Sequence, residues 1–309
     1  MIELEETSPP LISVVVLTFN SATTVQETLA SLTRQNYSSM EVLVCDDGST
    51  DSTQEIVQAW LYNYKHLFKR AVLLASTVNE GICKNVNKGY AYALGEWLKP
   101  IAGDDFLAPQ AMRSFAVAAV CSKHDAIVSL VSSFGDGTDD SDCLPSAKDI
   151  SLITGSPDCL RIELLNRNPI PAPGILLRRS AYEAAGGIDH SFKHLDDWPL
   201  WMRFVEKNKT FEILHEVLVY YRVSTKSISS SRLAIYINKD YLQDLITFYE
   251  RYQRQYINPI QRWDRFIELL RWRTAMGVLR SYPRLYKTTS LLKILSPIAW
   301  LKLIRHLHH

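Results

Sequence analysis

The segment LISVVVLTF (residues 11–19), directly after Pro9-Pro10, constrains the fold most, because it is an apolar, β-branched run. Such a run reads as a buried parallel strand, covered on both faces by helices. The next segments repeat the pattern. In NSATTVQETLASLTRQNY, Val25, Leu29 and Leu32 fall at helical spacing, with Ser21 or Thr23 as the expected cap. EVLVC (41–45) reads as a second strand and runs into a turn and helix, DDGSTDSTQEIVQAWLYNY. VLLAS (72–76) is a third strand, KNVNKGYAYAL a helix ending at Gly95, and EWLKPIA a fourth strand ending at GDD. This order of strands and helices predicts an α/β fold with a doubly wound, mostly parallel sheet.

Ligands of such sheets bind outside the carboxyl ends of the strands. The polar clusters fall there: Thr18-Phe19-Asn20 after the first strand, Asp46-Asp47-Gly48-Ser49 after the second, Asp104-Asp105 after the fourth. Any one of them could be a plain turn of Asp, Asn and Gly; three on one sheet edge suggest a site. Two adjacent carboxylates raise each other's pKa unless something positive faces them. The sequence has neither GxGxxG nor GxxxxGK[ST], and the first turn, TFNSATT, lacks the glycines that let a backbone approach a pyrophosphate. A divalent cation on Asp105, Mn²⁺ or Mg²⁺, is the natural means of meeting an anionic ligand there.

Charge divides the chain. Residues 233–309 carry 13 Lys/Arg against 5 Asp/Glu, and no acidic residue follows Glu268. We expect a first domain over 1–232 and a basic helical extension over 233–309. The final stretch, TTSLLKILSPIAWLKLIRHLHH, mixes apolar residues with Lys293, Lys302 and Arg305. It suits a helix lying in a membrane interface; the alternative is a helix packed on the acidic domain or on a second subunit of a homo-oligomer. An acidic N-terminus unlike a signal peptide, five cysteines without a CxxC pair and no spanning apolar run point to a cytoplasmic protein, peripheral on the inner membrane face. Asp139-Asp140 reads as a solvated loop with no strand leading into it. IPAPGILLRRS (170–180) reads as a turn running into a strand, either on the acceptor side of a site or an ordinary core strand.

Taken together, residues 11–230 resemble family 2 glycosyltransferases, which have the GT-A fold. The resemblance is carried by SVVVLTFNSATTVQETLASLTRQNYSSMEVLVCDDGSTDST, by NEGICKNVNKGYAYALGEW (79–97), by GDD (103–105), and by GGID (186–189) with LDDWPLWMR (195–203). It implies an inverting transfer from a nucleotide-sugar donor, UDP-linked most often in this family, to a saccharide hydroxyl. The acceptor would be lipid-linked if the tail sits at a membrane, and the product a bacterial surface polysaccharide such as O-antigen. Nucleic acid is not an expected partner.

Residue by residue, the resemblance places Thr18, Phe19 and Asn20 in the base pocket and Asp47 on the base. Asn87 belongs to the donor side, Asp104 lies near the donor sugar, and Asp105 binds the metal. Asp197 is the base, with Asp196 beside it. Trp198 and Trp201 stack on sugar faces, and Gly174 allows close approach on the acceptor side. The sequence departs from the family in three places. Val86 replaces an Arg, with Lys84 as the substitute charge. Ser224 replaces a His, with Lys226 as the substitute. Asp196 replaces the commoner Glu, so both acids stay candidates for the base. Two alternatives are an inactive nucleotide-sugar-binding protein, against which Asp47, Asp105 and Asp197 count, and a nucleotidyltransferase, whose Gly-rich basic loop is missing.

Overall fold

The computed structural model describes residues 9–136, 143–223, 239–256 and, of the following segment, 259, 262, 263, 265–267 and 270. The chain divides into two compact units, Met1–Val223 and Ser224–His309.

The first unit is built on one nine-stranded sheet. β1 (Ile12–Thr18), β2 (Met40–Asp46), β3 (Arg70–Ala75) and β4 (Trp97–Ala102) are its parallel half, in the order β3-β2-β1-β4. Helices α1 (Val25–Thr33), α2 (Thr53–Tyr64) and α3 (Ile82–Tyr92) join them. Val14, Val15, Val16, Val42 and Val44 are all fully buried, which is why these strands carry no polar alternation. Val25, Leu29 and Leu32 are the buried face of α1. Its cap differs from expectation: Thr24 holds the N-cap position without a side-chain capping bond, and Ser21 contributes its carbonyl, which accepts from Val25 N at 2.9 Å. Thr23 plays no capping part.

Beyond β4 the sheet is mixed. The short β5 (Phe106–Leu107) is followed by α4 (Ala111–Cys121), β6 (Ala126–Gly135), β7 (Cys143–Leu144), α5 (Ala147–Ile153) and α6 (Pro157–Leu164). Then come β8 (Ile175–Arg178), α7 (Arg179–Ala184), α8 (Trp198–Glu206) and β9 (Phe211–Val223). β8 lies antiparallel between β4 and β6, β6 runs parallel to β9, and β5 closes antiparallel on β9. A strand, β6, does end at Gly135, shortly before Asp139 and Asp140, contrary to expectation; those two residues lie outside the described ones.

β8 pairs with only Trp97 and Leu98 of β4. Pro100 therefore sits where that ladder has ended, and its missing N–H costs nothing there. The fully buried Lys99 fills the divergence, its Nζ donating to Pro100 O at 2.7 Å and to Pro173 O at 2.6 Å.

In the second unit the described elements are α9 (Lys239–Phe248) and a π-helical turn over Tyr249–Gln253. Lys226, Ser224 and everything after residue 270, including the basic terminal segment, lie outside the described residues.

Candidate active site

Parallel pairing puts the ends of β1, β2 and β4 at one sheet edge, where Thr18, Asp46–Asp47 and Asp104–Asp105 follow the strands. The first two clusters interlock. Thr18 Oγ1 donates to Asp46 Oδ2 at 2.9 Å, and Asn20 N donates to Ser49 Oγ at 2.8 Å. Asn20 adopts φ +51°, which a short polar side chain tolerates, and its Oδ1 accepts from Thr50 N at 2.8 Å. Phe19 is 47% exposed, an aromatic face open at this edge. Asp46 is fully buried and holds the turn, accepting from Ser49 N and from Gln54 Nε2. Asp47 is also buried; its two oxygens accept from Glu80 N and Gly81 N, both at 2.9 Å. It therefore pins the 79–81 loop and keeps lone pairs over for a ligand.

The GDD turn is packed as tightly. Thr24 Oγ1 donates to Gly103 O at 2.8 Å and Thr28 Oγ1 to Asp105 O at 2.6 Å. Asp105 is 1% exposed. Burial, then the charge of Asp104, pushes its carboxyl up to about 7, against Arg222 and Lys99. Burial also raises Asp104. The cationic side chain at this turn is Arg222, which sequence reasoning missed. Its backbone N donates to Asp105 Oδ1 at 2.9 Å and its Nε to Asp104 O at 3.0 Å. Its guanidinium lies 4.5 Å over the Phe134 ring and pairs with Glu27.

A divalent cation fits this turn. A carboxylate buried beside a second acid is penalised for its charge until a cation neutralises it. Among the described residues no group of three or more candidate ligands comes together. The protein would thus offer Asp105, with Asp104 nearby, and leave other positions to water and phosphate, as Mg²⁺ and related ions accept.

Of the expected substitute charges, Lys84 is among the described residues and is placed differently. Lys84 is half exposed and pairs with Glu80 at 3.1 Å, and Val86 is core. Lys88 does approach the edge, donating to Asp46 O at 3.2 Å. Asn87 faces the GGID turn: its Oδ1 accepts from the Tyr182 hydroxyl and Ile188 N, and its Nδ2 donates to Ile188 O at 2.8 Å. α3 thus links the two sides. Gly81, its N-cap, donates to Asp47; Asn87 grips the 186–190 turn; and Tyr90 lies close enough to Asp196 to feel its charge.

Asp196 and Asp197 are half-buried at the start of α8. Burial and the Asp197 charge raise Asp196. Burial raises Asp197 too, opposed by Trp198 N and by Asn168, whose Nδ2 donates to Asp197 Oδ2 at 2.7 Å. Asn168 is a second residue that sequence reasoning missed.

One aromatic assignment needs correction. Trp201 is 2% exposed, packed edge-on against Phe204 and Phe211, and offers no face to a sugar. Trp198 is half-buried, its Nε1 donating to Leu164 O at 2.7 Å. Gly174 is also internal: a Cβ there would meet Ser129 O at 2.7 Å, so its close approach is to β6.

Comparison with known proteins agrees with this architecture. The chain is 26% identical over 230 residues to the putative glycosyltransferase EpsE of Bacillus subtilis (strain 168), covering 73% of this chain and 77% of that one. It is 31% identical over 103 residues to chondroitin synthase of Pasteurella multocida (strain Pm70), 33% of this chain but only 10% of the synthase. Among solved structures, S. aureus TarS (residues 1–349) in complex with UDP-GlcNAc matches with TM-score 0.56 and 18% identity, covering 90% of this chain and 87% of that one. The mannosyltransferase PcManGT from Pyrobaculum calidifontis, in complex with GDP-Man and Mn²⁺, matches with TM-score 0.58 and 20% identity, covering 98% and 81%. These likenesses establish the fold as GT-A, a mostly parallel sheet flanked by helices. The model of the family Glycosyl transferase family 2 matches residues 13–185, more than half of the chain, and the protein belongs to that family.

Proposed function

We propose that the protein is an inverting glycosyltransferase that moves a sugar from a nucleoside diphosphate donor, UDP-linked, to a saccharide hydroxyl in bacterial surface polysaccharide synthesis. The observation that carries this reading is Asp105, a buried acid beside a second acid at the sheet edge that also holds Thr18 and Asp47. The complexes of TarS with UDP-GlcNAc and of PcManGT with GDP-Man support a nucleotide-sugar donor, and the match to chondroitin synthase supports a polysaccharide product.

In this reading Phe19 stacks against the base, Asp47 accepts a hydrogen bond from it, and Asp104 lies toward the donor sugar. Asp105, with Asp104 nearby, would hold a divalent cation, Mn²⁺ or Mg²⁺, which would supply charge neutralisation to the leaving diphosphate. Asp197 takes the proton of the acceptor hydroxyl as its oxygen bonds to the anomeric carbon. The bond from that carbon to the diphosphate oxygen breaks, and the nucleoside diphosphate leaves with the electron pair. A single displacement inverts the anomeric centre and needs no covalent intermediate. The basic tail motivates attachment to the cytoplasmic face of a membrane, where a lipid-linked acceptor would be concentrated.

The test is Asp197→Asn in UDP release from UDP-sugars with Mn²⁺. Donor binding should survive and turnover should fall by about 10²–10⁴-fold. A normal rate in Asp197→Asn with a dead Asp196→Asn would exchange the roles of the two acids. Normal rates in both would remove a carboxylate base from the mechanism.

A further inference from the structure

We propose that Asn168 and the indole of Trp201 form a fixed frame that aims the Asp197 carboxylate and favours its ionised form, which makes both of them positioning residues. The catalytic meaning of this frame rests on the reading of Asp197 as the base.

The frame has three parts: two hydrogen bonds from neutral donors and one buried N–H without a partner. Asp197 caps α8, its Oδ1 accepting from Trp198 N at 2.7 Å. Asn168 Nδ2 donates to Oδ2 at 2.7 Å. The Asn168 amide cannot turn over without loss, because its own Oδ1 accepts from Ile170 N at 3.1 Å. Its donor end is therefore committed to Asp197.

Trp201 is the third. It lies one turn along α8, where its backbone N donates to Asp197 O at 2.9 Å. The indole is wedged between Phe204 and Phe211, with ring centres 5.6 and 5.7 Å away and nearly perpendicular planes. Its Nε1–H is buried and finds no hydrogen-bond partner among the described residues. It lies near enough to Asp197 to favour the carboxylate, though short of hydrogen-bond geometry. A buried N–H without a partner is costly, and a carboxylate beside it is the natural recipient.

The charges around Asp197 explain why the frame is needed. Asp196 is adjacent, and Tyr90 of α3 stands close to Asp196. Among the described residues no cation forms an ion pair with either acid. Burial and the mutual repulsion favour protonation. Neutral N–H donors are what hold Asp197 as a base without a salt bridge that would blunt it.

The test needs no substrate. The chain has seven tryptophans, so indole ¹H–¹⁵N spectra of the full-length protein contain seven signals at most, and Trp201→Phe identifies the one from Trp201 while keeping a ring in the core. Over about pH 4 to 9, which brackets a raised carboxyl, that signal should titrate, its principal midpoint belonging to the interacting pair Asp196 and Asp197. The titration should vanish in Asp197→Asn. In Asn168→Leu, which removes the donor without adding a charge, the midpoint should rise by about one pH unit or more. A Trp201 signal that does not titrate, or that titrates alike in Asp197→Asn, would overturn the frame. Full transferase activity in Asp197→Asn would instead overturn the reading of the base, and with it the catalytic meaning of the frame, while leaving the spectroscopic coupling in place.

Discussion

Asp105 and Lys99 carry opposite charges, and burial works against both. Asp105 is pushed up to about 7 and Lys99 down to about 7, each chiefly by burial and each relieved in part by the other. An unfolded Asp releases its proton near pH ~3.9, so between about pH 4 and 7 the folded chain binds a proton that the unfolded chain has lost. Asp105 therefore removes stability as pH rises through that window. Unfolded Lys keeps its proton to about pH 10.4, so between about pH 7 and 10 the unfolded chain binds the extra proton, and Lys99 adds stability as pH rises. Thermal midpoints of metal-free protein should show this as differences from wild type: Asp105→Asn loses the falling limb and Lys99→Met the rising one. An Asp105→Asn curve parallel to wild type from pH 4 to 7 would contradict the burial argument. The position of the GDD turn was legible because an apolar strand runs straight into it. Arg222 was not: it is 117 residues from Asp105 in sequence and meets it through a backbone N–H. Lys99 was hidden because lysine is almost never fully buried. The sequence also suggested an exposed role for Trp201, which only its position on the inner face of α8 excludes.

At the scale of elements, β1 to β4 and their helices were readable because each strand is a short apolar run followed by a helical period. The mixed half was harder. β6 and β9 pair in parallel although α5, α6, β8, α7 and α8 lie between them in sequence, and the register shifts around Leu130. No local signal announces such a pairing. The loops after β2 and β3 show how elements fix a site. Gly48 has φ +74°, and a Cβ there would lie 2.6 Å from Val78 C and 2.9 Å from Asn79 N. The turn after β2 is thus pressed onto the loop after β3, the same loop that Asp47 pins. Gly48→Ala meets both a disfavoured dihedral and a backbone clash, and should cost about 1–3 kcal/mol in chemical denaturation. It should also weaken nucleotide binding, since Asp47 moves with the turn. A variant as stable as wild type would mean that the two loops are free to separate.

For the whole molecule, the division at Val223 leaves the complete nine-stranded sheet in the first unit. Among the described residues no helix is long and apolar enough to cross a membrane. The sequence of the basic terminal segment has eight Lys/Arg and no acid after Glu268. Anionic head groups attract such residues at roughly 1 kcal/mol each near the surface. Full-length protein should therefore co-sediment with anionic vesicles, and truncation at about Thr288 should reduce this, as should high salt. Equal sedimentation of the two forms would assign the tail to contacts within the protein or with a second subunit. The central claim is that the carboxyl edge of the parallel half-sheet binds a nucleotide sugar through a cation held by Asp105. Calorimetric titration of UDP-sugars into wild type and Asp105→Asn, with Mn²⁺ or with EDTA, tests it most directly. Binding of at least one UDP-sugar by wild type in Mn²⁺, lost in EDTA and in Asp105→Asn, is the expected result; equal affinity with and without metal, or no binding of any UDP-sugar, would contradict it.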